Sequence, residues 1–178
     1  MAYPLKILIT EDDQDIARLY RIALEERGHI VELAIDGKEC LDNYHREYAK
    51  ITSDVTNIRE HAQPFDVVLL DYKMPHINGI EVAKEILTVN PHQRIIFASA
   101  YIKETLTESV KLLKRVVELL QKPFGLDVLI EQIEDEEIYS ELQSLNVDVE
   151  ALKRAALSHE QLEELLTTLR EIQKRRTF

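Results

Sequence analysis

A chain of 178 residues suits one domain of ordinary size plus an appendage, or two very small domains, and a hydrophobic content of 45% is enough for a sizeable core. The formal charge of −11, from 33 acids against 22 bases, disfavours attraction to nucleic acid. A single cysteine excludes an intrachain disulfide framework and a multi-cysteine zinc site. No signal-peptide core and no apolar run near the ~18 residues of a membrane span is found, so a soluble, cytoplasmic protein without a membrane partner is expected.

Leu5-Lys6-Ile7-Leu8-Ile9 is a short, continuous, β-branched run of the kind buried in parallel sheets. A helix follows with Ile16, Leu19, Tyr20, Ala23 and Leu24 on one face and Gly28 at its C-terminal cap. Residues 30–34 read as a second strand, and Asp36-Gly37 turns into a helix from about Lys38. Pro64-Phe65 opens a third strand over 66–70, ending on Asp71. Asn78 and Glu81 form a capping box for a helix over 80–89, stopped by Asn90-Pro91. A fourth strand is expected over 94–98, a helix over 105–114 and a fifth strand over 116–121. Lys122-Pro123-Phe124 then precedes a helix from about Leu126. Five alternations of strand and helix mark an α/β protein with a parallel sheet covered on both faces, and ligands in such sheets sit at the carboxyl ends of the strands.

Those ends carry Glu11-Asp12-Asp13 after the first strand, Asp71 after the third, Ser99 after the fourth and Lys122 after the fifth. Clustered carboxylates repel unless a cation lies between them, and the candidates are the lysine and a hard dication such as Mg²⁺. An aspartate nucleophile, Mg²⁺, a lysine and a hydroxyl suit phosphoryl transfer, which depends mainly on positioning and on neutralising phosphoryl oxygens.

Residues 5 to about 140 resemble the receiver domain of two-component response regulators (the CheY-like family). The resemblance rests on Ile7-Leu8-Ile9-Thr10-Glu11-Asp12-Asp13, Leu69-Leu70-Asp71-Tyr72-Lys73-Met74-Pro75, Asn78-Gly79, Ala98-Ser99-Ala100 and Lys122-Pro123-Phe124. It implies a flavodoxin-like, doubly wound sheet of order 2-1-3-4-5 with helices on both faces. It also implies that Asp71 accepts the phosphoryl group, and that Mg²⁺ is held by Asp12 directly, Glu11 through water, Asp71 and the Lys73 backbone carbonyl. Lys122 then pairs with a phosphoryl oxygen, and Ser99 is the switch hydroxyl. Lys73 and Tyr101 occupy the positions that tune the lifetime of the phosphorylated state. Asp13 reads as a helix N-cap and Cys40 as an inert core residue.

Two departures from the family pattern stand out. About fifteen extra residues fall between the second and third strands, in a polar insertion over 43–63 expected to lengthen the second helix and its following loop. Leu119 also stands where the family often has an aromatic switch residue, which puts the usual hydroxyl-to-aromatic coupling in doubt.

From Asp127 onward the chain has 13 acids and 6 bases, a net of −7. Glu134-Asp135-Glu136-Glu137 reads as a solvated helix face. A helical tail is expected over 141–178, beyond a receiver of 1–140. It comprises a short helix capped by Asp148 and a longer one with Ser158 and Gln161 as its capping box. The stripe Leu162, Leu165, Leu166, Leu169 and Ile172 must bury against the receiver or a second chain, which makes the tail a candidate homodimerisation or docking element. Ser158-His159-Glu160 faintly resembles a sensor-kinase histidine box but is read as a coincidental surface histidine. The six histidines show no ligand spacing, so no transition metal is assigned.

The functional expectation is a response regulator phosphorylated on Asp71 by a sensor histidine kinase or phosphotransfer protein, acting on an output protein. It is not an enzyme beyond its own phosphorylation and dephosphorylation. A stand-alone phosphorelay intermediate is the alternative. DNA binding ranks lower because the one basic cluster, Lys174-Arg175-Arg176, lies at the end of the tail helix, where it complements the helix dipole. An aspartyl-nucleophile phosphatase ranks lower because Lys73 stands where such an enzyme commonly carries its general acid.

Overall fold

Short branched runs bounded by turn residues become five strands: β1 (Lys6–Thr10), β2 (Ile30–Ala34), β3 (Val67–Asp71), β4 (Ile95–Ser99) and β5 (Glu118–Gln121). The computed structural model describes residues 4–53, 63–100 and 117–176. The helix expected over 105–114 and Tyr101 lie outside these residues. All strands are parallel, in the order β2-β1-β3-β4-β5.

The helices alternate with them. α1 (Gln14–Glu26) starts on Asp13, whose side chain accepts from the Asp15 and Ile16 amides, and Gly28 takes a φ of 90° just past its end. α2 (Gly37–Ser53) and α3 (Gly79–Val89) follow β2 and β3. The direction reverses between the β1–β2 step and the later steps. Right-handed crossovers therefore place α1 on one face of the sheet and α2 and α3 on the other. On the α2–α3 face Leu8, Val68, Leu70, Ile95 and Phe97 pack with Cys40, Leu41, Tyr44, Val82, Ala83 and Ile86, all buried. Alternate strand residues, among them Ile7, Ile9, Val67, Leu69 and Ile96, point to the opposite face and are equally buried. Both faces being covered, the strands read as continuous apolar runs.

The described part of the polar insertion continues α2 to 17 residues. Its added turns are tied to the sheet by charge: Lys6 Nζ lies 2.5 Å from Glu47 and Arg46 pairs with Glu32, while Lys50, on the same helix, adds a second ammonium 2.5 Å from Glu47. Lys6 opens β1, so the extension reaches the amino end of the strands.

The chain divides into two compact units, residues 3–126 and 127–178. The expected boundary near 140 falls inside α4 (Leu126–Ser144), an unbroken helix whose later turns pack with α5 (Val149–Ala155) and α6 (His159–Arg176). Ile138 and Leu142 of α4 are buried with Leu162 and Leu166 of α6, flanked by Leu152, Leu165 and Leu169. The leucine stripe is thus covered within the chain, with Ile172 at 46% exposure beyond the packed part. Asp148 caps α5 through the Ala151 amide, and Ser158 and Gln161 make both arms of the capping box of α6. Two readings of the tail are overturned. Glu134 is buried rather than solvated, and His159 is not a surface residue, its side chain being only 12% exposed. Neither was visible in the helical period, because the groups that enclose them come from different helices.

Candidate functional site

The carboxyl ends of β1, β3, β4 and β5 form one rim, next to the point where the strand order reverses between β1 and β3. Glu11 leaves β1 buried, with its amide donating to the Ala34 carbonyl at 3.3 Å. Asp12 is exposed and Asp71, at the end of β3, is half-buried. Carboxylate oxygens of Glu11, Asp12 and Asp71 all lie within 4.8 Å of one another. Lys122 reaches over from the end of β5: its Nζ donates to Glu11 Oε2 at 2.6 Å and lies 3.6 Å from Asp71 Oδ2.

Burial sets the electrostatics. It raises the Glu11 carboxyl above the usual range, against the hydrogen bond and charge of Lys122, and Asp71 adds to the rise. Burial likewise raises Asp71, partly offset by Lys122 and by the Lys73 amide, which donates to Asp71 Oδ1 at 3.4 Å. Burial alone would lower the Lys122 ammonium, but the hydrogen bond to Glu11 and the charges of Asp71 and Glu11 hold it above its ordinary value. Three acids around one lysine form a hard, oxygen-only ligand set with one cation supplied, which fits a second, divalent cation such as Mg²⁺.

Backbone contacts hold the rim in place. The Lys122 amide donates to the Ser99 carbonyl at 2.8 Å, fixing the Lys122-Pro123 step against the end of β4, where Ser99 is buried. Asn78 caps α3 through the Glu81 amide. Gly79 opens α3 so close to β3 that a Cβ there would lie 2.4 Å from the Asp71 carbonyl oxygen.

The expected Glu11, Asp12, Asp71 and Lys122 are therefore brought together, with Ser99 at the adjoining strand end, whereas Asp13 turns away as the cap of α1. Two contributors were missed. Tyr20 stacks on Phe124 with ring centroids 5.5 Å apart, and burial raises its hydroxyl, Lys122 acting against the rise and Glu11 and Asp71 with it. Its place on the apolar face of α1 looked like ordinary core. Gly79 belongs to the Asn78-Gly79 motif, but its close approach to Asp71 is a tertiary fact.

Residues 7–134 match the family described as Response regulator receiver domain. The chain belongs to that family. It is 32% identical over 128 residues to the response regulator MprA of Mycolicibacterium vanbaalenii, covering 71% of this chain and 48% of that protein. It is 29% identical over 129 residues to the receiver protein CpdR of Brucella abortus, covering 72% and 93%. Among solved structures it resembles TrrA of Thermotoga maritima, described as a complex with Mg²⁺-BeF, at 27% identity and a TM-score of 0.58, covering 74% and 97%. The chain thus spans about half the length of MprA but nearly all of CpdR. Receiver domains are signal-transduction modules of two-component systems rather than conventional enzymes. Among the described residues no helix is long and apolar enough to cross a membrane.

Proposed function

We propose that this chain is a two-component response regulator that accepts a phosphoryl group on Asp71 from a histidine kinase or phosphotransfer protein and thereby alters its contacts with an output protein. The observation that carries the reading is the placement of the Asp71 carboxylate beside Lys122 Nζ, at 3.6 Å, within the Glu11–Asp12–Asp71 cluster.

Glu11, Asp12, Asp71 and the Lys73 backbone carbonyl are the groups to hold Mg²⁺, a cation with which the related TrrA was solved. Bound there, Mg²⁺ supplies charge neutralisation to the phosphoryl oxygens. An Asp71 oxygen attacks phosphorus, the P–N bond of the phosphohistidine breaks, and the departing imidazole nitrogen takes up a proton. Lys122 exchanges part of its contact with Glu11 for a phosphoryl oxygen, a charge-assisted bond of the stronger kind. Ser99, at the end of the neighbouring strand, donates its hydroxyl to the new group. Leu119 packs against the α2–α3 core, so the signal leaves through the Ser99 strand end and not through a rotating aromatic ring.

Incubation with a small acyl phosphate and Mg²⁺, followed by intact-mass measurement, tests the reading. Wild type gains one acid-labile phosphoryl group and Asp71→Asn gains none. An equal gain by the variant removes Asp71 as the acceptor.

A further inference from the structure

Two segments far apart in sequence, Glu134-Asp135 and His159, meet inside the unit formed by residues 127–178. His159 lies in the first turn of α6, and Glu163 one turn later on the same face. His159 Nδ1 is 2.6 Å from Asp135 Oδ1, while Nε2 is 3.2 Å from Glu134 Oε2 and 3.8 Å from Glu163 Oε1. A carboxylate only accepts, so the Asp135 contact places a proton on Nδ1 and turns Nε2 towards the two glutamates.

We propose that His159 Nε2, Glu134 and Glu163 form a site for a borderline transition-metal dication of the Zn²⁺ class, separate from the strand-end cluster, with Asp135 orienting the imidazole. Five features support it. The three ligand atoms lie within 4.8 Å of one another. The two Nε2–oxygen separations bracket the edge of a tetrahedral site, about 3.3 Å for bonds of about 2.0–2.1 Å. The imidazole favours a transition metal over the Mg²⁺ preferred by an all-oxygen set. A ligand histidine held by a carboxylate on its other nitrogen is the usual outer support of such a site. Glu134 is 1% exposed, so its carboxylate faces the site with little water to compete. The ion would bridge α4 to α6, beside the Ile138, Leu142, Leu162 and Leu166 contacts, and couple metal binding to tail stability.

The test is calorimetric titration of the full chain with Zn²⁺, repeated with Co²⁺ for its visible ligand-field bands, in an Asp12→Asn background that disables the strand-end cluster. One equivalent should bind with micromolar or tighter affinity and raise the melting temperature. Asp135→Asn should weaken binding by roughly tenfold, and His159→Gln or Glu163→Gln by more. Glu163 has a side-chain exposure of 37%, so its variant reads the site without threatening the fold. Absence of saturable binding in the Asp12→Asn chain overturns the proposal. So does binding that Glu163→Gln and His159→Gln leave unchanged, which would assign the metal to other histidines. A melting temperature that Zn²⁺ leaves unchanged in the Asp12→Asn chain likewise overturns the proposal.

Discussion

Replacing Lys122 with methionine keeps the aliphatic stem and deletes the cation paired with the buried Glu11 carboxylate. Breaking a buried pair from one side costs about 3–5 kcal/mol when the remaining charge must stay ionised. Here that cost has a ceiling, because Glu11 can take up a proton instead. Neutralising a carboxyl with an ordinary value of 4.5 at pH 7 costs about 3 kcal/mol, and at pH 5 less than about 1 kcal/mol. The sign follows from linkage. In the variant Glu11 has a folded-state value raised further above its unfolded one, so the folded chain binds the extra proton and stability falls as pH rises between the two. Urea denaturation should therefore show Lys122→Met destabilised by about 3 kcal/mol at pH 7 and nearly at wild-type stability at pH 5. Millimolar Mg²⁺ should recover most of the loss at pH 7, since a dication among Glu11, Asp12 and Asp71 replaces the missing charge, and it should bind more tightly than in wild type. A penalty that is the same at both pH values and indifferent to Mg²⁺ would show that Lys122 acts by packing, and the electrostatic account of the site would fail.

Three further outcomes are expected. Gly79→Ala places a methyl group 2.4 Å from the Asp71 carbonyl oxygen, so the end of β3 or the start of α3 must shift; about 3 kcal/mol of stability should be lost in urea, with weaker Mg²⁺ binding by titration calorimetry. Glu47, held down to about 2 by its hydrogen bonds to Lys50 and Lys6, contributes stability that is fully present above about pH 4.5 and is lost as pH falls towards 2. Solvent screening of the exposed Lys50 reduces its worth to about 1 kcal/mol, so Glu47→Gln should cost that much at neutral pH and nothing near pH 2, by denaturation at the two pH values. Leu142→Ala opens a cavity in the fully buried contact between α4 and α6 and should cost about 3 kcal/mol, read as earlier loss of helical circular dichroism on heating.

What could be read from the sequence was what local chemistry dictates. Residues 30–34 form the second strand as expected because a branched run is bounded by Gly28 on one side and Asp36-Gly37 on the other. The first, third and fourth strands shift by one residue, since hydrogen bonds to the neighbouring strand decide where pairing stops. Glu11, Asp12, Asp71 and Lys122 were legible because strand ends in a parallel sheet share one rim, and residue type marks which ends carry charge. Tyr20 and Gly79 were not, because stacking on Phe124 and a 2.4 Å clearance from Asp71 have no period in the chain. The tail shows the limit most clearly. Its caps and leucine stripe are local features and could be read directly, but the partner of the stripe and the enclosure of His159 by Glu134 and Asp135 join positions more than twenty residues apart. Sequence determines which groups a helix presents. Only the packing of one helix on another decides which groups meet, and so whether an acidic run is bathed in water or closed around an imidazole.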